Sequence, residues 1–249
     1  MRLLAMALLV AAIGLGVFAS MRLKPHVASL NFRVTLIVDE GGVERTGHGV
    51  WNVRLTENRP FDAGTYHMQM RGEAIPIELP GKGLLVAVLR SRLPDGSPGS
   101  NDLGTIPETL FADRVKGQLG EDRFDRVKLL VAIASRPGLT QAVPLAESSR
   151  VAHVPEPVFL LFADGSRPGT ATLVDPVDPA QTLGSQVQFK ALQVEITDDP
   201  VTVGIGRLLP WISTYKRKDL MLDGHKYNIM KSSGALNMIG PGDFSTEIV

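Results

Sequence analysis

Asn31 to Thr56, "NFRVTLIVDEGGVERTGHGVWNVRLT", alternates apolar and polar residues on both sides of a pair of glycines. Phe32, Val34, Leu36 and Val38 fall on one parity and Arg33, Thr35 and Asp39 on the other, with Ile37 the apolar exception. A period of two sends successive side chains to opposite faces, so this run is a half-buried strand. Gly41 and Gly42 supply the freedom a tight reversal needs, and the chain returns with Trp51, Val53 and Leu55 alternating with Asn52, Arg54 and Thr56. The pair reads as a β-hairpin.

The same period continues outward. Tyr66, Met68 and Met70 alternate with His67, Gln69 and Arg71, and Ile75, Ile77 and Leu79 follow on one parity. "GLLVAVLR", Gly83 to Arg90, is apolar on both parities, as a strand covered on both faces requires. Residues 25–92 are therefore expected to form one antiparallel meander with this strand at its centre. Residues 93–104, rich in Pro, Gly, Asp and Ser, read as a loop. Thr105, Pro107 and Glu108 then have the spacing of a capping box with proline in the first turn, and Ile106, Leu110, Phe111 and Val115 give that helix an apolar stripe.

"EDRFDRVKLLVAIAS", Glu121 to Ser135, reads as a helix or as a helix followed by a buried strand. "VFLLFAD" and "TATLVD" are short strands, and "QVQFKALQVEIT", Gln186 to Thr197, is a long one. In the long run Val187, Phe189 and Ala191 share one parity while Leu192, Val194 and Ile196 share the other, so a β-bulge is expected near Ala191 and Leu192. The expected fold is α+β and mainly β: an antiparallel, sandwich-like body with a few short helices, preceded by one hydrophobic helix. Residues 105–249 are expected to pack on the same body as the meander.

Asp198 and Asp199 end this last strand. Val201, Ile205, Leu208 and Ile212 follow helical spacing, and Asp199 directly precedes Pro200. Asp199 is therefore expected to cap a short helix with proline at its first position, closed by Pro210, while Asp198 ties the turn. The competing reading makes the two carboxylates an acid-base or metal-binding pair.

Composition narrows the function. The 249 residues carry 26 basic and 26 acidic side chains, so no overall field draws the protein to nucleic acid or anionic lipid, and nucleic acid is not an expected partner. The absence of cysteine excludes disulfides, thiolate zinc sites and thiol nucleophiles. Residues 1–24 form the strongest targeting signal: Arg2 is followed by seventeen uncharged residues, Leu3 to Ala19, and then by Arg22 and Lys24. A helix over residues 3–19 would be roughly 25 Å long, within reach of a membrane. The cations after the apolar run favour an uncleaved anchor. Val17-Phe18-Ala19 keeps open a cleaved leader and a soluble periplasmic body.

"FRVTLIVDEGGVERTG", "RGEAIPIEL", "VEITDDPVTVGI" and "LPWI" together resemble a loosely defined family of bacterial envelope proteins. Its members carry one N-terminal membrane segment and have no established activity. Gly206 departs from the family pattern, standing where a cation often follows the "GI" pair. The resemblance implies an inner-membrane anchor with the bulk of the chain in the periplasm and gives no catalytic residue to carry over.

Known catalytic motifs are missing from the sequence: there is no nucleophile elbow, phosphate loop, zinc-protease helix or dinucleotide fingerprint, and no cofactor is expected. His26, His48, His67, His153 and His225 are widely spaced. Asp198, Asp199 and His48 are the candidates for chemistry, His48 because Gly47 and Gly49 flank it. Trp51 with Tyr66 is the candidate sugar platform, although Trp51 shares the parity of Val53 and Leu55 and so reads first as core. Lys216, Arg217 and Lys218 are candidates for lipid contact, interrupted by Asp219 and Asp223 beside a turn, "LDGHKY", between two short strands. The expectation is a noncatalytic envelope domain that binds another envelope protein or serves as an assembly part. A metal- or carboxylate-dependent hydrolase and a carbohydrate-binding module are the alternatives.

Overall fold

The computed structural model describes residues 26–57, 66–120, 125–145, 154–228 and 234–247. The candidate anchor, residues 3–19, and His153 lie outside them. Among the described residues no helix is long and apolar enough to cross a membrane.

Strands β1 (His26–Glu40) and β2 (Val43–Glu57) form the expected hairpin, in continuous register from His26↔Glu57 to Glu40↔Val43. Gly41 and Gly42 have φ of 61° and 87°, the paired positive values of a two-residue turn that matches strand twist. β3 (Tyr66–Arg71) pairs with β2. β4 (Ile75–Leu79), β5 (Gly83–Ser91), β6 (Thr140–Pro144), β7 (Pro157–Phe162), β8 (Ala171–Val174) and β9 (Val187–Thr197) complete two antiparallel sheets. The first has the order β3-β2-β1-β9-β6 and the second β4-β5-β7-β8.

The single meander expected over residues 25–92 is thus divided. β1 to β3 belong to the first sheet and β4 and β5 to the second, and the chain changes sheets at Gly72–Ala74. Close approach of the sheets accounts for the glycines beside His48. A Cβ on Gly47 would sit 2.4 Å from the Pro76 carbonyl, and one on Gly49 would sit 3.1 Å from Ile75. These glycines admit β4 against β2 rather than a ligand against the backbone.

β5 is apolar on both parities because the second sheet is covered twice. Leu85, Ala87 and Leu89 pack toward the first sheet with Phe32, Leu36 and Trp51. Leu84, Val86 and Val88 pack on the opposite side against Ile205, Leu209, Trp211, Ile212 and Phe244. Fully burying one such aliphatic side chain stabilises by roughly 1.5–3 kcal/mol, so two apolar layers explain why this strand has no polar face.

Helix α1 (Ile106–Val115) has Pro107 in its first turn and buries Ile106, Phe111 and Val115. Its capping box does not form. Thr105 is helical and its hydroxyl donates to the Asp102 carbonyl, while Glu108 accepts from Arg126. α2 (Arg126–Ala134) stays helical through its apolar run, the next strand beginning only at Thr140, and is capped by Asp125, whose carboxylate accepts from the Lys128 amide. Val127, Leu130 and Ile133 join Ala28 and Leu30 in the main core. The bulge in β9 is present: Ile37 faces Ala191 but Val38 faces Phe189, leaving Lys190 as the extra residue.

Among the described residues the other α-helices are α3 (Ala180–Leu183) and α4 (Ile212–Lys218). The expected helix after Pro200 is absent. Residues 200–204 have no regular structure, a single short turn covers Ile205–Arg207, and α4 begins after Pro210 instead of ending there. "LDGHKY" forms turns, and among the described residues beside it none is in a strand.

Candidate functional site

The inner face of the first sheet and both faces of the second carry the two hydrophobic clusters, which leaves the outer face of the first sheet as the polar face of the double layer. Register places its residues in rows. Asn31 lies between Asn52 and Thr197, Thr35 between His48 and Gln193, and Arg33 between Val50 and Glu195. β3 extends the face, setting Arg71 beside Asn52 and Gln69 beside Arg54.

A strap formed by residues 198–204 crosses this face. It leaves β9 at Thr197 and is held over β1 by two outward side chains: Asn31 Nδ2 donates to the Asp199 carbonyl at 2.8 Å, and the Arg33 guanidinium binds the Asp199 carboxylate. It then reaches the edge of β2 just past the end of β3. There Thr202 N donates to the Val50 carbonyl at 3.1 Å, and the Val50 amide donates to Thr202 Oγ1 at 2.8 Å. Val50, outward by register, is buried where the strap passes. Gly204, at φ 131°, allows the backbone to turn out of the strap.

The far end of the strap is anchored by a group that no sequence pattern marks. Glu73 is buried, and its carboxylate accepts from the Ile205 amide at 2.8 Å and from Ser245 Oγ at 2.9 Å. Its carbonyl accepts from Trp51 Nε1 at 2.8 Å. One residue therefore ties together the end of the strap, the C-terminal segment and the core.

Asp199 is not a helix cap; it is the ion-pair partner of Arg33, which also binds Glu195. Asp198 is exposed beside a small depression of about 190 Å³ bordered by Ser29, Asn31, Asn52 and Thr197. His48 is exposed on the outer face, in the row of Thr35 and Gln193, whereas Asp199 joins the row of Arg33. Among the described residues no group of three or more His, Asp or Glu side chains is placed to hold a metal ion.

Trp51 is fully buried edge-on to Phe32, 5.9 Å between ring centroids. It has no free ring face to stack on a sugar, and Tyr66 is half-buried beneath the Arg126 guanidinium. Lys216, Arg217 and Lys218 are exposed on the last turn of α4, in the layer that covers the second sheet. Asp219 ends that helix in a left-handed conformation and lies 3.9 Å from Lys226.

Beside the strap the outer face carries a groove of about 530 Å³. Its floor and walls are Val27, Ser29, Asn31, Asn52, Arg54, Gln69, Arg71 and Val201. Asn52 Nδ2 donates to Ser29 Oγ at 2.9 Å and to Asn31 Oδ1 at 2.7 Å, which fixes the floor. Arg71 grips Glu247 through two bonds of 3.0 and 2.6 Å, which holds the Glu247 carboxyl below its ordinary value and the guanidinium above its own. Arg54 is exposed and has no ion-pair partner among the described residues. Asn52, Arg54, Gln69 and Arg71 were legible as polar parity, but their convergence depends on the register of β1, β2 and β3.

A second cleft, of about 400 Å³, gathers Arg92, Asp95, Asp175 and Asp178. Its acids already serve local turns: Asp95 accepts from Ser97, Asp175 from the Val177 amide and Asp178 from Gln181. Arg92 bridges Asp175 and the buried Glu156, each at 3.5 Å, and burial raises the Glu156 pKa despite that pairing.

No protein-family model matches the chain, and no curated protein or solved structure matches it.

Proposed function

We propose that this chain is a noncatalytic domain of the bacterial envelope, held at the inner membrane by residues 3–19 with its body in the periplasm. In this reading the body binds another envelope protein through the outer face of the first sheet. The supporting observation is that this face is polar, broad and crossed by a clamped strap, while every other sheet face is packed into a core. Asn, Gln, Thr and Arg side chains on three adjacent strands offer donors and acceptors at fixed spacing, as a polar docking surface needs. The envelope location is supported by the apolar run before β1 and by the resemblance described above. If the leader is cleaved, the same body is soluble in the periplasm and the same face is used.

A pull-down of the tagged, detergent-extracted full chain tests the proposal when it is repeated with His48→Arg and Gln193→Arg together. These residues flank Thr35 across three strands and lie away from the strap contacts. A partner recovered by the wild type and by Lys216→Ala, but lost with the double variant, supports the reading. Recovery unaffected by the double variant, or turnover of a substrate by the purified chain, overturns it.

A further inference from the structure

We propose that the groove between the strap and β3 holds the phosphate headgroup of an anionic phospholipid from the membrane in which the chain is anchored. This rests on the anchored reading of residues 3–19. Two arginines, Arg54 and Arg71, line the groove, and none of its eight lining residues is acidic. Arg71 is oriented by Glu247, which leaves Arg54 as the uncompensated charge. Asn52, Gln69 and Ser29 add side chains able to hydrogen-bond phosphate and glycerol oxygens.

Chain length gives the occupant. Only six residues separate Ala19 from His26, where β1 begins, so the start of the strand lies within ~25 Å of the end of the apolar run. Val27, Ser29 and Asn31, at that end of β1, are themselves groove residues. The groove therefore lies within reach of the bilayer surface. Because the anchor brings about the encounter, the zero net charge of the chain does not count against local recognition. Lys216, Arg217 and Lys218 belong to the layer over the second sheet and are not needed.

The test uses the full chain in nanodiscs of pure phosphatidylcholine or of an equimolar mixture with phosphatidylglycerol. Hydrogen exchange of the β3 amides Gln69 to Arg71 is the readout. Exchange should slow by about fivefold in the anionic discs, the effect of one arginine near a charged surface, and the slowing should vanish with Arg54→Gln and largely return with Arg54→Lys. Arg54 is the informative position because it is exposed, whereas changing Arg71 would also release Glu247. A chain that enters both discs and exchanges alike in them overturns this inference alone. Equal protection in phosphatidylcholine discs supplied with soluble glycerol phosphate assigns the groove to a free phosphate ester and also overturns it. A chain that fails to enter the discs overturns the anchored reading and this inference with it.

Discussion

Replacing Glu73 by alanine should be strongly destabilising. The buried carboxylate accepts two hydrogen bonds, from the Ile205 amide at 2.8 Å and from Ser245 Oγ at 2.9 Å. Bonds to a charged acceptor contribute about 1.5–3 kcal/mol each, so Glu73→Ala should destabilise by roughly 3–6 kcal/mol. Glu73→Gln makes a graded comparison. Its amide oxygen can still accept from Ile205, and its NH2 can donate to the Ser245 hydroxyl, which accepts as well as donates. Only charge assistance is lost, and the cost should fall to about 1–2 kcal/mol. Urea unfolding of the full chain in detergent, followed by tryptophan fluorescence, measures both variants. Trp51 and Trp211 lie in different hydrophobic clusters, so the signal reports on both sides of the second sheet. A Glu73→Ala loss under 1 kcal/mol, or equal losses for the two variants, would refute the assigned bonds.

Other consequences follow from the same geometry. Asp199→Ala should lower stability by less than about 1 kcal/mol, because its pair with Arg33 is half-exposed and Glu195 remains; circular dichroism should show no lost helix. Gly47→Ala should cost about 1–3 kcal/mol or more, since the new Cβ meets the Pro76 carbonyl at 2.4 Å; thermal unfolding measures this. Burial raises the pKa of Asp243 despite Arg90, and that of Glu156 despite Arg92. Each folded-state value then exceeds the unfolded one, so both groups contribute stability that is present below the ordinary carboxylate range and lost as pH rises through the raised value. Asp243→Asn should flatten the decline of stability just above that range. Glu247 has the opposite sign: Arg71 lowers its pKa, and its contribution is lost as pH falls. Carbon-13 titration should find Asp243 and Glu156 above the ordinary carboxylate range and Glu247 below it.

Much of the fold was legible because alternation reports burial directly. The β1–β2 hairpin, the doubly covered β5 and the bulge at Lys190 each leave a parity signature, and each is present. The division into two sheets left none, because β4 continues the same alternation after Gly72–Ala74 and only the packing against Gly47 shows which sheet it joins. At Val201, Ile205, Leu208 and Ile212 the spacing mimicked a helix. The edge of β2 prevailed there: Thr202 satisfies Val50 in the region where β3 has ended. The burial of Trp51 followed from its parity, but nothing in the sequence distinguished Glu73 from a surface acid. The groove was half legible. Its residues lie on the polar parities of three strands, yet which cations meet is set by register and by the course of the strap.

The central claim is that the outer face of the first sheet is the working face of an anchored domain. Photo-crosslinking in intact cells tests it most directly, with p-benzoylphenylalanine replacing His48 or Gln193 on that face, or Arg217 on the layer over the second sheet. The account predicts discrete crosslinked products from His48 and Gln193 and none from Arg217. Crosslinks from Arg217 with silence at the other two positions would contradict it.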